Sequence, residues 1–158
     1  MDALLAVILG VHAASTLMMT GLVWFVHGVH YPMFAGVARA GEAEWKRFEG
    51  EHLRRSGAVI IPLMLLELAS ASWLVLMPEG GVSRAFAWAG AGLLAVVWAS
   101  TFLGAVPMHA RLERGFYPDA HRWLMRFNLI RAVAWTGRSG LALLMLMAAP
   151  AVPMDGLA

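Results

Sequence analysis

Residues 3–26 read ALLAVILGVHAASTLMMTGLVWFV, with no Lys, Arg, Asp or Glu among them. An α-helix rises 1.5 Å per residue and the hydrocarbon core of a bilayer is about 30 Å thick, so about 20 apolar residues cross it. This run is long enough to do so. Only Asp2 stands before it, so it lacks the basic segment of a secretory leader and exceeds the length of a leader's apolar stretch. It is expected to be a spanning helix of the mature chain. Three further runs meet the same criterion, at about 57–77, 85–106 and 130–149. The fold expected is all-α: an integral membrane four-helix bundle, one transmembrane domain over residues 1–158.

Composition agrees. Of the 158 residues, 60% are apolar and 14% charged, against roughly 25% charged in soluble domains. That is too little charge to coat a water-facing surface. There is no Cys, hence no thiolate ligand or cysteine nucleophile. Met77-Pro78-Glu79-Gly80-Gly81 reads as a tight turn between the second and third spans. Pro107 is expected to close the third span, and Pro150 and Pro153 the fourth.

The twelve Lys and Arg are unevenly placed. Arg39, Lys46, Arg47, Arg54 and Arg55 lie between the first and second spans, and Arg111, Arg114, Arg122 and Arg126 between the third and fourth. Arg131 and Arg138 follow, and Arg84 alone is on the other side. The positive-inside bias places both long connections in the cytoplasm and both termini outside, in a bacterial inner membrane. Trp24, Trp45, Trp88 and Trp123 fall near span boundaries, where aromatic belts form.

Both long connections carry pattern. Residues 35–56 read AGVARAGEAEWKRFEGEHLRRS. Trp45, Phe48 and His52 recur at helical spacing with charges between them, which predicts an amphipathic helix lying at the interface or extending the second span. Residues 108–127, MHARLERGFYPDAHRWLMRF, break at Gly115 and Pro118, and Asp119 could cap a helix running into the fourth span. Pro32 biases Tyr31 away from helix and is expected to bend or stop the first span there.

Ionisable groups at membrane depth are costly and therefore informative. His12, Glu67 and Arg138 lie near the middle of three predicted spans, so Glu67 and Arg138 can pair with His12 alongside. His12 and His30 are eighteen residues apart, five helical turns or about 27 Å, on one stripe, with His27 beside it. In the last span His121, Asn128 and Trp135 repeat every seven residues, and Arg131 and Arg138 do so on the next ridge. A lipid-facing surface would not carry them, so this face points into the bundle. Glu49 and His52, at i and i+3, share a face, and His109 and Glu113 stand at i and i+4. Topology alone gathers His30, Glu49, His52, His109 and His121 at the cytoplasmic end. Imidazole with carboxylate suits zinc, iron or copper, and two histidines on different helices suit haem.

WFVHGVHYPMF (24–34), FEGEHLRRSG (48–57), PLMLLELA (62–69) and VPMHARLERGFYPDAHRWLMRFNLIRAVAWTGR (106–138) together resemble an uncharacterised family of small bacterial four-span integral membrane proteins. The resemblance implies a membrane protein and supplies no reaction. The layout is more distantly similar to HemJ-type protoporphyrinogen oxidases and anthrone-oxygenase-like proteins, without a shared motif.

Three functions follow from the residues. The first is a metal- or haem-dependent oxidoreductase acting on a lipophilic small molecule. His30, His52 and His109 would be its ligands and Glu49 a ligand or base. Asn128 and Arg131 would orient an anionic or carbonyl-bearing substrate, and His27, Tyr31, His121 and Trp135 would line its site. The second is a small proton-coupled carrier using His12, Glu67 and Arg138, as a homo-oligomer. The third is a structural or assembly subunit of a membrane complex. Nucleic acid is not an expected partner, because the basic residues abut spans and alternate with acids.

Overall fold

A computed structural model describes residues 3–77 and 82–149. The turn expected after Met77 and the prolines expected to close the fourth span lie outside those residues. Within them the chain forms four helices: α1 (Ala3–Ala38), α2 (Glu42–Leu76), α3 (Arg84–Leu112) and α4 (Pro118–Ala148). No strand occurs among the described residues. Each helix packs against its sequence neighbours, and α4 closes the ring against α1. All four are long and apolar enough to cross a membrane.

The surface is apolar and much of the interior is polar. Leu103, Met147, Leu76 and Val7 are among the most exposed side chains. His12, Thr16, Glu49, Glu67, Asn128, Arg131 and Arg138 are among the buried ones. In water this distribution would be unstable; in lipid it is what the solvent requires, since polar groups must then find partners inside the protein. The chain is a multi-pass membrane protein built as an all-α bundle.

The helices exceed the bilayer. α1 and α2, at 36 and 35 residues, are about 54 and 52 Å long at 1.5 Å per residue. Their surplus gathers at the end joined by residues 39–41 and 113–117. Gly41, at φ 123°, makes the sharp reversal between α1 and α2. Residues 42–56 extend the second span, as one of the two sequence readings expected. Trp45 is buried, while Lys46–Glu42, Arg47–Glu44 and Arg55–Glu51 pair on the outer side at 2.6, 2.6 and 2.7 Å. Trp45 is accordingly not part of an aromatic belt: its indole N–H donates to the Leu112 carbonyl at 2.7 Å, capping the end of α3. Trp24, Trp88 and Trp123 do stand exposed.

Two expectations about proline are corrected. Pro32 does not stop α1, and Pro107 does not close α3. Each follows a single wide π-turn, Val26–His30 and Thr101–Ala105. There the Tyr31 N–H reaches back to the Val26 carbonyl and the Val106 N–H to the Thr101 carbonyl. The hydrogen-bond ladder has thus already shifted by one residue where the proline N–H is missing, so the helix absorbs the proline and continues. A π-turn also rotates everything beyond it by about 100°. The straight stripe drawn from His12 to His30 therefore does not survive, although both residues meet α2, at Ser70 and His52. Asp119 is not the cap of α4 either. That helix begins at Pro118 after Tyr117, and Asp119 pairs with Arg111 across the connection at 2.7 Å.

The second π-turn brings α3 close to α4. A methyl group on Gly104 would run into the Phe127 ring, well inside contact distance. Gly104→Ala is expected to cost about 1–3 kcal/mol through overpacking, read as a lower melting temperature in detergent. Adding Phe127→Leu should recover much of the loss.

Candidate functional site

Two polar layers cross the bundle, and each draws on all four helices. The deeper one lies where sequence depth suggested. Glu67 of α2 faces Arg138 of α4 at 3.4 Å, with both side chains buried. Glu67 also accepts the Trp135 indole N–H at 2.6 Å, and Arg138 donates to the Gly90 carbonyl of α3. His12 of α1 hydrogen-bonds the Ser70 hydroxyl of α2 at 2.9 Å. α2 and α4 are diagonal partners, so this pair spans the bundle through side chains. The heptad repeat of Trp135 and Arg138 with the other polar residues of α4 has this cause: the face turns inward, where His121, Asn128, Trp135 and Arg138 each find a fixed partner.

The second layer lies at the end carrying the connections. Its backbone supports are the two π-turns, which present His30 and Tyr31 from α1 and, one turn later, His109 from α3. Glu49 and His52 come from the same face of α2, and His121 from the first turns of α4. His30 Nε2 and His52 Nδ1 are 2.9 Å apart. His109 Nδ1 is 2.7 Å from Glu49 Oε1, and its Nε2 is 3.0 Å from the Tyr31 hydroxyl. His121 Nε2 donates to the Tyr31 carbonyl at 2.8 Å. Phe34 and Phe48 pack against this cluster of rings.

Glu49 is fully buried, and its second oxygen, Oε2, has no hydrogen-bond partner among the described residues. One ligand atom each from Glu49, His52 and His109 lies within 4.8 Å of the others. Buried carboxylate oxygens are costly unless paired, so this spot suits a cation or a proton donor.

The remaining expected site residues divide. His30 stands one step behind the trio, on His52. Asn128 and Arg131 are buried about two to three turns beyond His121 along α4 and line a small cavity with Tyr31. The Asn128 amide N–H donates to the Val23 carbonyl at 3.2 Å. Arg131 lies over the Trp135 ring, 5.3 Å from its centre. His27 lies apart, against Trp24, with Nδ1 unpartnered. Glu113 is exposed and joins neither layer. Sequence reasoning had no access to Ser70, the Gly90 carbonyl or the bond between Tyr31 and His109, because each depends on the register between helices.

Beside the second layer, a groove of about 520 Å³ opens between α1 and α2. Leu22, Phe25, Val59 and Ile60 supply apolar walls, and His30 and His52 form part of its lining. Neither a protein-family model, nor a curated protein, nor a solved structure matches the chain.

The buried pair is open to a direct test. Breaking a buried ion pair by removing one partner typically costs about 3–5 kcal/mol, because a charge is stranded. Arg138→Met should lower stability on that scale. Glu67→Gln added to it should restore a good part, since the amide oxygen still accepts the Trp135 N–H while the stranded charge is gone. Unfolding in mixed micelles reads both variants, and a double variant no better than Arg138→Met would contradict the pairing.

Proposed function

We propose that the chain is a membrane-embedded metal-dependent enzyme, an oxidoreductase acting on a lipophilic small molecule. Glu49, His52 and His109 would hold a divalent ion at the looped end of the bundle. The observation that carries this reading is Glu49: buried completely, bonded through Oε1 to His109, with Oε2 unpartnered and His52 within reach. Two imidazoles and one carboxylate with positions left over suit non-haem iron(II), the redox-active choice, and also zinc.

The hydrogen bonds support specific roles. With His52 Nδ1–H donated to His30, the Nε2 of His52 is left for a metal, and His30 fixes the ring as an outer partner. His109 would offer its Nδ1, which faces Glu49, to the ion, and its Nε2–H would donate to the Tyr31 hydroxyl. A haem is served less well, because His30 and His52 bond each other directly at 2.9 Å. The groove between α1 and α2 supports entry of an apolar substrate from the bilayer. The deeper layer, whose groups are engaged with one another, supports a register-fixing role more than a proton-coupled carrier.

Metal analysis of protein purified without a polyhistidine tag is the test. About one iron or zinc per chain is expected, lost in Glu49→Gln and in His109→Ala. His30→Ala should weaken metal binding by about 10–100-fold, as loss of an outer-shell partner does. His121→Gln, whose contact is to a backbone carbonyl, should keep the metal. Folded protein that carries no metal and takes up neither Fe(II) nor Zn(II) would overturn the proposal and leave the cluster as a tie between helices.

A further inference from the structure

Arg131 is the cation the network leaves over. It is 6% exposed. Among the described residues it pairs with no acid, and its Nε has no hydrogen-bond partner. Its guanidinium lies over the face of Trp135. The contrast with Arg138 is direct, since that guanidinium has Glu67 and a backbone carbonyl. A buried charge without a counterion costs several kcal/mol, more than a single cation–π contact offsets.

What the side chain faces is a cavity. Arg131, Asn128 and Tyr31 supply polar lining to a space of about 20 Å³. That holds one water or the head of a small polar group. A carboxylate matches the planar guanidinium fork, which binds such groups through paired hydrogen bonds. The cavity is also close to the outside. Leu22, Val26 and Ile60 line both it and the groove of about 520 Å³ between α1 and α2. The two spaces therefore adjoin at these three apolar side chains, with the buried cation on one side and an apolar trough of ligand-binding size on the other.

We propose that Arg131 is the anchor for the carboxylate of a long-chain amphiphile whose hydrocarbon part lies in the α1–α2 groove. Tyr31 lines the same cavity and hydrogen-bonds His109, so the head of such a molecule sits beside the Glu49–His52–His109 cluster. The inference names a substrate class for the reading of the preceding subsection and rests on that reading only for the term substrate. Binding itself requires no metal.

The test uses the full chain in zwitterionic phosphatidylcholine nanodiscs, with radiolabelled dodecanoate as probe and dodecanol and acetate as competitors, each with and without a chelator. Saturable dodecanoate binding is expected, at least tenfold tighter than dodecanol or acetate. Arg131→Met should abolish the preference over dodecanol while leaving metal content unchanged, and should melt no lower than the unaltered chain, because it removes an unpaired buried charge. Arg131→Lys, which keeps the charge and loses the fork, should fall between. Dodecanoate binding no tighter than dodecanol, in the unaltered chain alone, overturns the inference whatever the variants do. Acetate binding as tightly as dodecanoate overturns the amphiphile and leaves a small-anion site. Discrimination that persists in metal-free protein upholds this inference even if the metal reading falls.

Discussion

Glu67 and Arg138 meet across the diagonal of the bundle, each buried, with Trp135 and the Gly90 carbonyl completing their hydrogen bonds. Nothing in hydrocarbon could solvate either charge, so each is tolerable only where the other is. That requirement fixes which face of α2 looks at which face of α4. It thereby sets the rotation of the two helices on which the rest of the polar interior depends. A core of Leu and Val would pack at several registers with similar energy, since lipid tails are as apolar as the side chains themselves. Charge is what makes one register the answer.

The looped end obeys the same rule with a different result. Here the polar groups do not all find partners within the protein. Glu49 retains a free oxygen, and Arg131 retains an unanswered charge. Both orphans lie in one neighbourhood, linked through His109 and Tyr31. Thr16 Oγ1 is also buried without a partner, one turn from His12, so what sets the looped end apart is that its unsatisfied groups are ionisable and lie near the α1–α2 groove. The π-turns belong to this design. Each is an inserted residue that re-aims the helix beyond it just before the segment carrying Tyr31 or His109, and π-bulges recur at functional sites for this reason.

Much of this was legible beforehand, and the boundary is instructive. The pairing of Glu67 with Arg138 was readable because alternating helices place mid-span residues at one depth. The inward face of α4 was readable because Asn128, Arg131, Trp135 and Arg138 repeat at a helical period. Glu49 and His52 were readable as neighbours because i and i+3 share a face in any helix. Pro107 was misread, as was the stop offered for Pro32 beside a bend, because the rule that proline stops a helix assumes an unbroken ladder, and the π-turns lie in VHGVH and TFLGA without a sequence mark. Trp45 was misread as interfacial because its partner, the Leu112 carbonyl, is a backbone atom of another helix.

From the residues alone one could read the solvent, the number of helices and which polar groups would need shielding. These depend on length, periodicity and the cost of charge in oil, which are properties of each segment alone. Which side chains meet was left to the fold. It gave His30 to His52 and His109 to Glu49 and Tyr31, and it left Arg131 facing a cavity with no acid beside it. Those outcomes turn on rotations of about 100° at two wide turns and on the register between helices. No local spacing encodes either, because both are settled by the packing of all four helices at once.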